Sequence, residues 1–243
     1  MKSFRVSNFL IKLAETDSEY NGLYKLRYND LLKNYNKNLN EEVEEDKDEY
    51  DLYCDHIIIV DTSTEEVVAT YRLIKKSHLS VLKEFLTESE FDISTLKTYQ
   101  LLEVGRAVVK EEYRAGNLVS LLWKAIIRYA VEENIDYMIG TACFQGIDPK
   151  PYEDTFAYLY DKFLSSDKCF VKSETSYPLN FKKEYDLDKA LSNLPPLIRG
   201  YLNLGSKIGD GVFIDKDFNS LDVLIILKIN DINERILKRF LKD

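Results

Sequence analysis

Apolar residues in this sequence fall into short runs of strand length and longer stretches with helical spacing. The strand-like runs predict strands at 55–60, 67–74, 101–109, 137–144, 212–214 and 221–229. The helical spacing predicts helices at 18–35, 80–91, 118–131, 152–164 and 232–241, and 197–204 is a further element before the turn at 205–211. The first two strands flank the short polar segment 61–65 and therefore predict an antiparallel hairpin, whereas the polar segment 177–193 predicts a connection.

The helix predicted at 118–131 shows how the elements pack. Its apolar residues form one stripe, which consists of Leu118, Leu121, Leu122, Ala125, Ile126 and Tyr129. Such a stripe is typical of a helix that is buried on a sheet. Strands mixed with helices on both faces predict a single α/β (α+β) domain over 1–243, and the sequence contains no repeat or low-complexity linker.

The strand predicted at 101–109 carries unusual polar residues among apolar ones. Glu103 and Arg106 would point to opposite faces of a regular strand, because side chains alternate with period two. Gly105 lies between them and favours a β-bulge, whose extra residue would return both side chains to one face. A glycine-containing turn and an apolar helix follow. A converging carboxylate and guanidinium beside a helix N-terminus predict an acyl-transfer site.

The formal net charge of −9 is concentrated in one segment. Residues 40–51 contain eight acidic residues and one lysine, a net charge of −7, so the rest of the chain carries only −2. We interpret 41–46 as a solvated loop, whereas Asp48–Asp51 directly precedes a strand and is a candidate binding segment. The sequence has no basic stripe that would predict a nucleic-acid partner, although a local basic patch could meet a small acidic partner.

Cysteine and histidine content indicates the compartment and excludes some metal sites. Three cysteines lie far apart, and the histidines are only two, so neither a disulfide framework nor a histidine-rich metal centre is expected. Cys143 and His56 are interpreted as packed core residues. The first 13 residues predict no signal peptide, and no run reaches the ~18 apolar residues of a spanning helix. We therefore expect a soluble, cytoplasmic protein without a metal.

The turn after strand 101–109 carries a first resemblance. Arg114-Ala115-Gly116, between that strand and the apolar helix, resembles the acyl-carrier-binding core of the GNAT N-acyltransferase superfamily, with its mostly antiparallel sheet. The resemblance implies that Val108, Arg114, Gly116 and Asn117 hold the phosphate of phosphopantetheine or coenzyme A. Free amides and the positive end of the helix dipole attract phosphate in any such turn. The usual pattern of that family is R/Q-x-x-G-x-G/A. In this sequence Gly116 comes two residues after Arg114, and the later small residue is missing.

A second resemblance joins polar residues that are far apart in the chain. Arg27, Asp48–Asp51, Arg72 and Glu103-x-x-Arg106 resemble, in order and spacing, the polar signature of the acyl-homoserine-lactone synthases. Those enzymes are GNAT-like and take an acyl chain from acyl carrier protein.

The most extensive resemblance is to the ornithine N-acyltransferase, or hemolysin-like, family. It is carried by 55–61, 69–73, 102–109, 121–124, 144–149, 195–202, 205–211 and 218–223. Membership implies transfer of a 3-hydroxyacyl or other long acyl group from acyl carrier protein to the amine of ornithine or a related amino acid. The product would be a lyso-aminolipid, which implies a cytoplasmic enzyme with peripheral contact to the inner face of the membrane.

The chemistry assigns provisional roles to these residues. Glu103 is the candidate general base, and the alternative is that it only pairs with Arg106. Arg72 or Arg27 suits a substrate carboxylate, and Asp48 or Asp51 suits a cationic side chain. Three alternatives remain open: a coenzyme A-dependent GNAT enzyme acting on a small amine, a lactone synthase, and a binding module that has lost catalysis.

Overall fold

The computed structural model describes residues 1–35, 44–172, 176–181 and 184–242. The chain forms two compact units, one made of Met1–Lys83, Leu102–Ile135 and Glu234–Asp243, and the other of Glu84–Leu101 and Asp136–Asn233. Both contain antiparallel strands and helices, so the predicted α/β class with a largely antiparallel sheet is confirmed. The single domain over 1–243 stays a prediction. Within the described residues, no helix has the length and apolar character needed to span a membrane.

The first unit is built on an antiparallel sheet in the order β1-β2-β3-β4-β6. Its strands are β1 Phe4–Val6, β2 Phe9–Leu13, β3 Asp55–Asp61, β4 Glu66–Lys75 and β6 Leu101–Val109. The predicted β3–β4 hairpin and the β6 strand are confirmed. Sequence analysis missed β1 and β2, which are short and become strands by pairing with each other and with β3.

Helix α1, Asp17–Arg27, covers one face of this sheet. Thr16 and Glu19 form a capping box that fixes its first turn. Leu23 and Tyr24 pack with Ile58 of β3. The continuous helix predicted at 18–35 is wrong beyond Arg27, because the chain continues as a π-helical turn at Tyr28–Leu32 and a short helix α2 at Lys33–Tyr35.

Helix α4, Leu118–Glu132, covers the opposite face and confirms the predicted buried helix. Its Trp123 ring contacts Tyr71 at 6.3 Å between centroids. Tyr71 lies opposite Ile57, and Ile57 is adjacent to Ile58, which packs on α1. Adjacent strand residues point to opposite faces, so Tyr71 and α4 lie on the face opposite α1. Helix α8, Glu234–Leu241, packs on α4.

The second unit contains two sheets. The larger one pairs β7 Tyr137–Gln145 with β11 Ser220–Lys228, which also pairs with β10 Phe213–Asp215 and β9 Lys207–Ile208. The smaller pairs β5 Phe91–Asp92 with β8 Phe170–Val171. The helices are α5 Glu153–Phe163, α6 Leu187–Ser192 and α7 Pro196–Asn203.

Two further sequence-based assignments are wrong. The helix predicted at 80–91 is a short helix α3, Leu79–Leu82, followed by a 3₁₀ turn Leu86–Ser89 and strand β5. Lys83 takes a φ of 71°, which terminates α3 after one turn. The segment predicted as a connection contains α6, whose first turn is capped by the Asp186 side chain.

Candidate active site

Strand β6 contains a β-bulge within its pairing with β4. Arg72 lies opposite Gly105, whereas Thr70 lies opposite Val108, so β6 contains one residue more than β4 over this interval. Arg106 takes a φ of 52° and is the residue in the left-handed region. The bulge was expected at Gly105, and the structure places its strained residue one position later.

The bulge brings polar side chains of two strands to one face. Glu103 lies opposite Ile74, two residues along β4 from Arg72, so Glu103 and Arg72 share a face. Arg106 reaches the same face, because its Nη2 lies 3.4 Å from Asp48 Oδ2, and Arg72 Nη1 lies 2.7 Å from that oxygen. Glu103, Arg72 and Arg106 therefore lie on one face, and their roles remain predictions.

A buried charge network surrounds this face. It consists of Arg27, Asp46, Asp48, Asp51, Arg72 and Arg106. Arg27 lies at the end of α1 and donates to both carboxylate oxygens of Asp51, at 2.9 and 3.0 Å. Its Nε donates to Asp46 Oδ2 at 3.2 Å. The Arg27 guanidinium thus joins α1 to the acidic segment before β3.

Arg72 and Arg106 complete the charge network from the sheet. Arg72 Nη1 donates to both oxygens of Asp48, at 2.8 and 2.7 Å, and to Asp51 Oδ1 at 3.3 Å. Arg106 Nε lies 3.2 Å from Asp46 Oδ2. Three guanidinium groups therefore meet three carboxylates, which satisfies the requirement that buried charges be paired.

Asp46 was not recognised from the sequence. The segment 41–46 was interpreted as a solvated loop, but Asp46 is buried and ion-paired with Arg27 and Arg106, so that interpretation is wrong for Asp46. Glu41 and Glu42 lie outside the described residues. A run of acids without apolar spacing carries no signal that marks one member as buried.

Solvent exposure divides the charge network into two parts. The side chains of Arg27 and Asp51 are 0% exposed and that of Arg72 is 3% exposed. The side chains of Asp48 and Arg106 are each 28% exposed. A substrate could reach Asp48 and Arg106 directly. The geometry favours a structural role for Arg27, Arg72 and Asp51 over the predicted contacts with substrate.

The electrostatics agree with this division. Burial raises the pKa of Asp51, but the hydrogen bonds and charges of Arg27 and Arg72 outweigh burial and lower it to about 2. Burial lowers the pKa of His56 to about 4, so this imidazole is neutral at pH 7. His56 lies opposite Arg72, and its Nε2 is 3.4 Å from the backbone oxygen of Asp51. The packed role expected for His56 agrees with this position.

The turn between β6 and α4 is the predicted donor site. Val108 lies opposite Thr70, one residue before the end of β6, and the Gly116 amide donates to Tyr113 O at 3.0 Å. Asn117 precedes α4, and the first amide with an intrahelical partner is that of Leu121, so the amides before it are available to an anion. Roles for Val108, Gly116 and Asn117 in binding the donor stay predictions.

Arg114 makes contacts within the first unit. Its Nε donates to Val109 O at 3.0 Å, and its Nη2 donates to Asp30 O at 3.1 Å and Asp30 Oδ1 at 3.2 Å. Asp30 also accepts from the Glu111 amide at 2.9 Å. Arg114 thus fixes the turn against the segment that follows α1, and its predicted contact with the donor phosphate remains a prediction.

Comparison with known proteins identifies the family. Residues 26–124 match the acetyltransferase (GNAT) domain. The L-ornithine N(alpha)-acyltransferase of Brucella abortus (strain 2308) is 32% identical over 252 residues, which cover 97% of this chain and 90% of that protein. The chain belongs to the L-ornithine N(alpha)-acyltransferase family. The Rhizobium meliloti (strain 1021) enzyme of the same name is 31% identical and covers 97% of this chain and 85% of the relative.

Solved structures show the same fold at low identity. The acyl-homoserine-lactone synthase LasI superposes with a TM-score of 0.54 at 12% identity over 94% of each chain. FeeM, an N-acyl amino acid synthase from uncultured soil microbes, superposes with a TM-score of 0.51 at 11% identity over 92% of this chain and 91% of its own. The resemblances to the GNAT and ornithine N-acyltransferase families are confirmed, and this protein is an acyltransferase.

The segment 26–124 of this acyltransferase, which matches the GNAT domain, contains the whole charge network and Glu103. The network places a half-buried carboxylate and a half-buried guanidinium beside the bulge, where they are held by buried ion pairs. Such an arrangement can orient a small zwitterion, because carboxylates bind ammonium groups and guanidinium groups bind carboxylates. A strand bulge next to these groups leaves a backbone amide outside the ladder, where an oxyanion could bind.

Asp51→Asn should lower the free energy of unfolding by about 3–5 kcal/mol, because Arg27 and Arg72 lose their shared buried carboxylate. The folded-state pKa of Asp51, about 2, lies below the ordinary 3.8. Its stabilising effect is therefore complete above pH ~4 and is lost as the pH falls towards 2. Urea unfolding between pH 2 and 7 should show this loss in the wild type and a flatter profile in Asp51→Asn.

Asp48→Asn is the matched control for that measurement, because Asp48 belongs to the same charge network but is partly exposed. It should lose less stability than Asp51→Asn. Equal losses in both variants would contradict the division into a buried part and an exposed part.

Proposed function

We propose that this acyltransferase moves a 3-hydroxyacyl or other long acyl group from the phosphopantetheine of acyl carrier protein to the α-amine of ornithine, which gives a lyso-ornithine lipid. The relatives at 31–32% identity over 97% of the chain are named for the acceptor and for the nitrogen that is acylated. The observation that carries the proposal is the partly exposed Asp48–Arg106 pair beside the β6 bulge.

In this proposal, Glu103 removes the proton that the ornithine ammonium must lose before attack. The free amine then attacks the thioester carbonyl, forms the C–N bond and expels the phosphopantetheine sulfur. The nitrogen loses its second proton as the amide forms, and the thiolate takes up that proton and leaves as the thiol. A carboxylate at 6% exposure, in a strand that otherwise contributes mainly apolar residues, suits this general base.

Acceptor recognition is assigned to the exposed part of the charge network. Asp48 would bind the side-chain ammonium of ornithine, and Arg106 would bind its carboxylate. Arg27, Arg72 and Asp51 act as positioning residues in this proposal, because each is buried and contacts the segment that carries Asp48. The Asp48 amide donates to Asp51 Oδ2 at 2.8 Å, so Asp51 holds the backbone of Asp48 as well as the arginines.

Donor recognition is assigned to the turn at Val108, Arg114, Gly116 and Asn117. Phosphopantetheine on a carrier protein presents one phosphate, whereas coenzyme A adds a pyrophosphate and a phosphorylated adenosine. The turn lacks the second small residue of the usual pattern, so it suits one phosphate better than a pyrophosphate, whose binding needs close backbone approach. The acylated product keeps a long alkyl chain, and this supports transient contact with a membrane surface.

Glu103→Gln should lower kcat by a factor of about 10²–10⁴, because a general base typically contributes that much. The melting temperature should change little, since glutamine has nearly the same shape. Steady-state kinetics and thermal melts of the same preparations provide the comparison. A parallel loss of folding and activity would instead assign Glu103 to a structural pair with Arg106.

Asp48→Asn should raise KM for ornithine and leave KM for glycine or serine unchanged, because only ornithine presents a second ammonium. The melting temperature of the variant serves as its folding control. An unchanged ratio of kcat/KM values for ornithine and serine would remove Asp48 from acceptor recognition.

The donor is tested with purified protein, ornithine and a 3-hydroxyhexadecanoyl group on either acyl carrier protein or coenzyme A, with products identified by mass spectrometry. We expect higher kcat/KM with the carrier protein, and this preference should decline as salt screens contacts with the acidic partner. A better rate with the coenzyme A thioester that is independent of salt would contradict the carrier-protein proposal. Arg114→Glu is a poor probe here, because it also breaks the contact with Asp30.

A further inference from the structure

Three carboxylates meet in the second unit at the β10–β11 hairpin. Asp215 lies opposite Ser220, and Phe213 lies opposite Asp222. Directly opposed residues share a face, and so do residues two apart on a strand, so Asp215, Ser220 and Asp222 lie on the same face. One carboxylate oxygen each from Glu90, Asp215 and Asp222 lies within 4.8 Å of the others.

Asp222 is the buried member of this cluster. It is 3% exposed, and within the described part of the chain its Oδ1 has no hydrogen-bond partner. The Ser220 hydroxyl on the same face is also buried. Buried polar oxygens are normally paired, so an unpaired carboxylate oxygen inside this cluster indicates a ligand that supplies the contact.

The groups around Asp222 disfavour its charge in the absence of a ligand. Burial, with a smaller contribution from the charge of Asp215, raises the pKa of Asp222 to about 6, and hydrogen bonds with Ser220 and Cys143 act in the opposite direction. Glu90 and the Cys143 thiol on β7 also face Asp222. Burial and the charge of Asp222 raise the pKa of Cys143, so the three carboxyl groups lie beside a neutral thiol.

We propose that Glu90, Asp215 and Asp222 bind one hard divalent cation. Carboxylate oxygens are the protein ligands that Mg²⁺, Mn²⁺ and Ca²⁺ prefer, and oxygens this close together can share one ion. A cleft of about 440 Å³ reaches the cluster and is lined by Ser89, Glu90, Phe213, Ile214, Asp215, Lys216 and Asp217. The protein was expected to bind no metal, because its sequence has few histidines and cysteines. That expectation does not apply to a site made of carboxylates.

Titration of the chelator-treated full-length protein with Mn²⁺, followed by electron paramagnetic resonance, tests this site directly. We expect one saturable Mn²⁺ site from which Mg²⁺ or Ca²⁺ displaces the probe. Saturating cation should raise the melting temperature by about 5 °C, since binding to the folded state alone stabilises it.

Asp222→Asn should abolish the Mn²⁺ site and the cation-dependent rise in melting temperature. Asp217→Asn is the matched control, because Asp217 is exposed in the same cleft and lies outside the cluster. Asp215→Asn serves as a second variant if Asp222→Asn fails to fold. The proposal is overturned if the wild type shows no saturable site, or if Asp217→Asn reduces binding as much as the cluster variants do.

Discussion

The first unit depends on one buried carboxylate, Asp51, which is shared by two guanidinium groups. Arg27 comes from the end of α1 and Arg72 from the middle of β4, so this ion pairing joins a helix, a sheet and the irregular acidic segment between them. A buried charge that loses its partner is strongly destabilising, and so the three parts are held in one arrangement. The arrangement leaves Asp48 and Arg106 partly exposed beside Glu103, where the proposed chemistry needs groups of both signs.

The bulge in β6 is the second constraint on the site. A regular strand would direct Glu103 and Arg106 to opposite faces, and the additional residue opposite Tyr71 removes that separation. Arg106 adopts a left-handed conformation that costs a non-glycine residue some strain. Its contacts with Asp46 and Asp48 offset this strain, which couples the charge network to the bulge.

The same physical principle makes the second cluster of acids informative. In the charge network, each buried carboxylate has a guanidinium partner, and the pKa of Asp51 falls. At the β10–β11 hairpin, the described charged neighbours of Asp222 are themselves acidic, and its buried Oδ1 has no hydrogen-bond partner among the described residues. The contrast explains why the first cluster is stable as it stands, whereas the second points to an additional cation.

The sequence determined the regular elements and the identity of most candidate residues. Strands at 101–109 and 137–144 and the helix at 118–131 were predicted closely, because hydrophobic periodicity is a local property of the chain. The order of Arg27, Asp48, Asp51, Arg72, Glu103 and Arg106 was also visible. Their division into buried and exposed members was decided by the tertiary structure, since it depends on packing between segments far apart in the chain. The same holds for the burial of Asp46, the strained residue of the bulge and the meeting of Glu90 with Asp222: solvent exclusion and ion pairing arise only when distant segments come together.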